Sequence, residues 1–549
     1  MSGRPVERKI LLKPITVITF VVCGLLLAGI LPTCTADNAA LVYDVVVYGD
    51  SSGAVTAAVA AKRLGCSVVL INPTHFPGGM SASGLGATDF LGKRSTFGGI
   101  ASEFYDEIAG HYGKDFVRSF EPHVGRKVFR KFIADAKVPV AFNEKIDRQN
   151  GVKLKGKRIV SITTLSGRTY RGRMFIDATY VGDLMAAAGA TYTIGREPES
   201  KYGEDMAGVR RGDTQPRIHY TQGDKDHFIV NVDPYIKPGD SSSGLLPLVY
   251  KTGNLTNGQG DRKIQAYNYR LCLTTDPQQR IPIEKPADYR EIDHELLLRN
   301  FEAGDHRLPA LIEPLSGTDT KVDWNSMHAI GSDYASVNWE YPEASYQRRR
   351  EIEAAHKTYI LGHLWTLSNN LRVPANIRRK VIAYGLPKDE FTDNGGWPYM
   401  IYIREARRMV SDYVMTQQDC EGTRAVSDPV GLGSFGMDSH VVQYYVNEQG
   451  YVRRDGTIWR VPPKPYGISY RSIVPSRGEC ENLLVPVCLS ASHVAHGSIR
   501  MEPVFMVLGQ SAATAASLAI ADGTAVQEVQ YAQLRERLLK DRQILNWPK

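Results

Sequence analysis

Two short stretches carry the residues best able to move a proton. The first, "SASHVAHGSIRMEP", sets His493, His496, Arg500 and Glu502 close together. The second, "GMDSHVVQ", places Asp438 two positions before His440. Histidine has an ordinary pKa near neutrality, so a reaction that strips the proton from a hydroxyl would draw on His493, His496 or His440, with Arg500 beside them. Tyr466 and Tyr470 are weaker candidates. The chain has no H-E-x-x-H and no C-x-x-C, which sets aside a zinc protease site and an iron–sulfur cluster.

Such groups need a frame, and the frame starts at "DVVVYGDSSGAVTAA", Asp44 to Ala58. An apolar β-branched run ends in a tight turn and opens a run of small residues, and "SVVLIN" follows. That is a β-α-β unit with the spacing of a dinucleotide cradle. Against G-x-G-x-x-G, Gly49 and Gly53 flank the turn, Ser51 stands at the second glycine and Ala54 at the third. The start of the helix offers free N–H groups and the positive end of a dipole to a phosphate. After the second strand, Asn72 occupies the place where an acid would meet ribose hydroxyls. "PTHFPGGMSASGLGATD" then supplies Gly78, Gly79, Met80, Gly84 and Gly86, a backbone-rich loop able to line a long cofactor. "GRTYRGRMFIDATYVGD" predicts a hairpin feeding an apolar strand that ends in Asp177, Ala178 and Thr179, with Asp183 beyond. "ENLLVPV" predicts a strand returning to the same sheet. A small-residue helix containing Gly509 and Gln510 follows, and its N-terminus would face the pyrimidine end of a flavin.

"VVVYGDSSGAVTAAVAAKRLG", "GGMSASGLGATD", "FIDATYVGDLMAAAGATYTIGRE" and the stretch from Gly467 to Ala519 together resemble the FAD-dependent oxidoreductases, a family with secreted bacterial members often labelled xanthan lyase-like. The resemblance covers nearly all of residues 42–525. It implies an α/β fold with a Rossmann-like FAD-binding domain of glutathione-reductase type and a large inserted α+β substrate domain. The boundaries expected are 42–195 for the first part of the FAD domain, 196–420 for the insertion and 421–549 for the return. It implies FAD as cofactor and no settled substrate. The leading reading is FAD held without a covalent bond and hydride abstraction from a small organic or carbohydrate-derived substrate, with an electron acceptor the sequence does not name. Two other readings stand beside it: a lyase or hydro-lyase with structural FAD, and a non-catalytic carbohydrate-binding protein on a flavin fold.

The remaining features are consistent with a globular core of several parts. The 549 residues are 43% hydrophobic and 23% charged, and the formal charge is +7 with cations spread along the chain. No nucleic-acid motif accompanies that charge. Arg4, Arg8, Lys9 and Lys13 precede the uncharged run Ile15–Leu31, which reads as an export signal over residues 1–36, the alternative being an uncleaved membrane anchor. The protein is then expected outside the cytoplasm, in the periplasm or at the cell surface. "ERKILLK" approximates a twin-arginine signal with Lys9 in the second position, and Cys34 is a candidate for lipidation. Cys66, Cys272, Cys420, Cys480 and Cys488 read as buried thiols. In the middle of the chain, Tyr346–Leu371 has helical spacing. Residues 400–416, with Arg404, Arg407 and Arg408, are expected as an amphipathic helix. "SDYASVNWEYPEASY" and "NGGWPYM" could line an aromatic cleft for sugar rings.

Overall fold

The computed structural model describes residues 41–90, 94–212, 227–253 and 255–547. Residues 41–549 cluster as one compact unit. The expected export signal, Cys34 and the twin-arginine-like residues lie outside the described residues.

The first sheet is built as the sequence pattern requires. Strand β1 (Val42–Tyr48) is β-branched and buried at its end, and it pairs in parallel with β2 (Val68–Ile71), Val45 opposite Val68. On its other side β1 pairs with β6 (Thr169–Asp177), Val47 opposite Ile176. The sheet runs β3 (Val140–Ala141), β2, β1, β6, β5 (Arg158–Thr163), β4 (Val152–Lys155). The parallel core is buried on both faces, which explains its continuous apolar runs. Leu483–Leu484 joins β6 in parallel, so "ENLLVPV" does return to this sheet.

Helix α1 (Ser52–Arg63) crosses from β1 to β2 and is buried through Ala61. It packs against the C-terminal helix Glu502–Asp522 at very short range. A Cβ on Gly509 would lie 2.2 Å from the Gly53 carbonyl oxygen, and one on Gly53 would lie 2.7 Å from that of Phe505. Thr56 Oγ1 donates to the Met506 carbonyl at 2.8 Å across the same seam. The C-terminal helix is long and apolar enough to span a membrane by length and composition, yet 78% of its apolar window is buried. It is the core helix of this fold.

A second, antiparallel sheet lies within residues 271–387, its central strands being Leu271–Thr274 and Lys321–Ser326. The helix Tyr346–Asn369 buries Ile352, His356, Ile360 and His363, as its spacing predicts. Residues 400–416 depart from the expected helix. They run extended, with only Arg408–Met409 forming a strand, paired with Tyr192–Thr193. The reason lies in the arginines. Arg404, Arg407 and Arg408 are all buried and meet carboxylates from separate parts of the chain: Asp333 at 3.0 Å, Asp183 at 2.9 Å and Glu197 at 2.7 Å. A helix would crowd the three on adjoining turns, whereas extended backbone parts them. The aromatic residues of this region pack chiefly as core. Trp324, Tyr341 and Trp397 are buried, and Tyr334 stacks on Tyr359 at 4.1 Å.

Candidate active site

The turn after β1 keeps the features a dinucleotide needs and shows why its glycines are placed as they are. Gly49 lies so close to the chain after β6 that a Cβ would sit 2.4 Å from the Ala178 oxygen. Ser51 is the N-cap of α1: its Oγ accepts from the Ala54 N–H at 3.2 Å and donates to the Ala178 carbonyl at 2.6 Å. Its hydroxymethyl group is therefore turned into the protein and does not obstruct the cradle. Helix geometry leaves the N–H groups of Ser52 and Gly53 without intrahelical acceptors. The Asp50 Oδ1 atom is buried and unpartnered, and desolvation pushes this carboxyl up to about 7. An orphaned acid and free N–H donors at a helix N-terminus fit a phosphate-bearing cofactor.

The glycine loop reaches from this turn into the interior. Gly78 and Gly79 have φ of +100° and +57°, and a Cβ on Gly79 would lie 2.8 Å from Ser51 Cα. Met80 donates its N–H to the Tyr180 hydroxyl at 3.0 Å, and that hydroxyl donates to Glu502 at 2.6 Å. Further along, Gly84 approaches the Arg270 carbonyl and Gly86 approaches Asp323, while the Ala87 N–H bonds to Asp323. Arg270 and Asp323 form a buried ion pair. The loop thus runs from the phosphate end of the cradle to Asp89, which feels Arg270, Arg500 and Asp438.

Several residues expected to touch the cofactor are committed to the protein. Asn72 closes its own loop, donating to Phe76 O at 3.0 Å and accepting from the Thr74 N–H at 2.8 Å. Asp177 caps the chain after β6, accepting from Thr179 Oγ1 at 2.7 Å and the Met185 N–H at 2.7 Å. Asp183 takes Arg349, Arg407 and Arg148; burial opposes its charge, but these cations hold its carboxyl at about 2. Gln510 pins the helix Gly99–His111 through the Ile100 N–H at 2.8 Å.

The candidate proton-transfer residues fall into two clusters. His493 and His496 stand in a short helix, His493–Ile499, which Ser492 caps. Both are fully buried. His493 Nδ1 lies 2.8 Å from Glu405, which also pairs with Arg408 at 2.9 Å. Desolvation drives His496 down to about 3, so it stays neutral. His440 lies apart. Its Nδ1 is 2.7 Å from Asp333 Oδ2 and its Nε2 is 3.5 Å from Asp438 Oδ2. Arg500 holds Asp438 at 2.8 Å and the Tyr402 hydroxyl at 2.9 Å. Burial and Arg404 work against a charge on His440, but Asp333 and Asp438 outweigh them and raise its pKa.

Asp50, Asp89, Asp438 and His440 all keep some accessible surface, yet desolvation leads the influences on each. Asp333, Tyr402 and Tyr180 belong to this site without any signal in the sequence. Asp89 could have been found as the acid that closes the glycine loop.

A β-α-β cradle and a partly accessible cluster of acid, base and guanidinium groups fit a dinucleotide-binding enzyme. A profile of the FAD-dependent oxidoreductases matches residues 44–538, and the chain belongs to that family, with FAD as its cofactor. No curated protein resembles the chain closely enough to count as a match. Among solved structures, it is similar to a thioredoxin reductase from T. acidophilum at 22% identity, over 30% of this chain and 41% of that one, with a TM-score of 0.17. It is similar to a mutant flavin monooxygenase from Stenotrophomonas maltophilia at 17% identity, over 25% and 37%, with a TM-score of 0.18. A bacillithiol disulfide reductase from Staphylococcus aureus matches at 14% identity, over 25% and 38%, with a TM-score of 0.18. The chain spans less than half the length of each of these structures.

Proposed function

We propose that the protein oxidises a hydroxyl-bearing carbon of a small organic or carbohydrate-derived substrate, with His440 as the proton acceptor. The observation that carries this reading is the Asp333–His440 pair at 2.7 Å in a side chain still 19% accessible. Ionised Asp333 fixes the Nδ1–H tautomer, which leaves the Nε2 lone pair to accept a proton. Asp438 Oδ2 lies 3.5 Å from Nε2, at the long limit of a hydrogen bond, and a substrate hydroxyl would bind beside the two. Burial opposes the charge on Asp438, but His440 and Arg500 outweigh it and lower its pKa; Arg500 also holds it in place at 2.8 Å, and Asp89 supplies a second acid for neighbouring hydroxyls. Bound FAD supplies the hydride acceptor. The exported location read from residues 1–36 belongs to the same proposal.

The test is anaerobic mixing of the yellow protein with a panel of sugars, polyols and hydroxy acids. The reading expects at least one to bleach the flavin band near about 450 nm, and His440→Gln to abolish that bleaching while flavin stays bound. Turnover without bleaching would favour a lyase with structural FAD and overturn it.

A further inference from the structure

The start of α1 is where the family's cofactor brings its diphosphate, and the structure already places a carboxylate there. Glu502 is the first residue of the C-terminal helix and is buried. Its Oε1 accepts from Tyr180 at 2.6 Å and its Oε2 from Ser81 at 3.4 Å. Ser52, the first residue of α1, bonds to the same glutamate: its Oγ donates to the backbone carbonyl at 3.4 Å, and its hydroxyl also acts on the carboxyl. Three elements therefore converge on one acid: α1, the glycine loop and the segment after β6. We propose that FAD binding is coupled to protonation of Glu502, the diphosphate settling on the free N–H groups at the start of α1 and taking over the Ser52 hydroxyl that otherwise acts on the ionised carboxylate.

The charges facing this point make the coupling strong. The groups acting on Glu502 are the hydroxyls of Ser52, Tyr180 and Ser81 and a backbone N–H of Ser81, none of them a cation. Tyr105, from the helix Gly99–His111, and Tyr180 both feel its charge, and Tyr180 also feels Asp50. Asp50 in turn faces Asp177 and Asp183, with Lys145 acting on it as a cation. A diphosphate at the start of α1 brings negative charge toward two acids that both act on Tyr180, and the electrostatic cost falls when the acids are neutral. Burial supports this by pushing Glu502 up to about 7, so that the proton is available near neutral pH. The sign follows from linkage. The form that binds FAD is protonated, so affinity is complete below the Glu502 pKa and falls as pH rises through it, by about tenfold per pH unit for one proton.

The inference rests on FAD as cofactor, and the experiment separates the two. Holoprotein is ultrafiltered at a series of pH values from acid to alkaline, free flavin is read by fluorescence, and far-UV circular dichroism confirms that the chain stays folded. The proposal expects flavin release to rise with pH in the wild type and to rise less steeply in Glu502→Gln, where only Asp50 is left to titrate. Should Glu502→Gln not fold, Tyr180→Phe serves instead. It removes a hydrogen bond to the carboxylate and should move the release midpoint to higher pH. Retention independent of pH in the wild type, an unchanged slope in Glu502→Gln or an unchanged midpoint in Tyr180→Phe would overturn the proposal. A chain that carries no flavin at any pH would instead overturn the cofactor itself.

Discussion

His493 and His440 each sit within 2.8 Å of a carboxylate, as His123 does beside Glu390, and their surroundings separate the first two. His493 faces Glu405 in a sealed cluster with Arg408, Glu197 and, through Ser492, Glu204. There burial opposes the Glu405 charge, but His493 and Arg408 hold its carboxyl at about 2. His440 faces Asp333 with its second nitrogen toward partly accessible Asp438. The first arrangement joins the short helix His493–Ile499 to the extended segment 400–416 and has no face left for a substrate. The second leaves one nitrogen of an oriented imidazole in a side chain still 19% accessible. Proximity to a carboxylate marks both sites; accessibility distinguishes support from chemistry.

The sharpest way to break this contrast is to remove each histidine. His440→Ala should lower kcat by roughly 10²–10⁴, the range for a lost general base, with FAD retained. His493→Gln should lower kcat by less than about tenfold, well short of that range. If the order is reversed, the sealed cluster is the chemical one. The same cluster should declare itself in stability. Arg408→Met leaves Glu197 and Glu405 buried without their cation and should cost about 3–5 kcal/mol in denaturant unfolding.

The pH profile sharpens the contrast further. His440 must be neutral to accept a proton, and its pKa is raised. Hence kcat/KM should rise with pH and level off above an inflection that lies higher than the ordinary histidine value of about 6.5. Asp333→Asn removes the charge that raises it, so the inflection should move to lower pH while the plateau falls because the tautomer is no longer fixed. A profile unchanged in Asp333→Asn would detach His440 from catalysis.

How much of this was legible in the sequence depends on whether the signal was local. The β1–α1–β2 unit, the hairpin into β6, the returning strand at Leu483–Leu484 and the C-terminal helix all follow from local periodicity. Glycine positions were legible as close approaches, although Gly53 and Gly509 serve a helix crossing as much as a ligand. Residues 400–416 misled because apolar and basic residues alternate at helical spacing, while their buried carboxylate partners lie far away in the chain. The same distance hid Asp333 beside His440 and Tyr180 beside Glu502. Periodicity sees neighbours in sequence; the site is made of neighbours in space.

A smaller effect is expected at the helix seam. Gly509→Ala would set a Cβ 2.2 Å from the Gly53 carbonyl oxygen, a backbone atom that can yield only if α1 shifts. The cost should be about 1–3 kcal/mol, as for overpacking a filled core. Because Gly53 lies in the cradle itself, flavin should also be lost more readily on dilution. Unchanged stability together with unchanged flavin retention would mean that the two helices can part without disturbing the cradle.

The smallest effect concerns Ser51, which stands where a second glycine is expected. Its hydroxyl accepts from the Ala54 N–H and donates to the Ala178 carbonyl, so it caps α1 and ties the turn to the end of β6. Ser51→Ala should cost about 1 kcal/mol through the lost cap, with FAD affinity little changed because the side chain points away from the phosphate position. Ser51→Gly would restore the usual glycine and keeps a residue tolerated at an N-cap, so it should cost only a few tenths of a kcal/mol for the cap itself. The pair separates two roles for this position. If Ser51→Ala weakens FAD binding at least tenfold while stability is untouched, the hydroxyl serves the phosphate directly, and the cradle and the helix cap compete for one side chain.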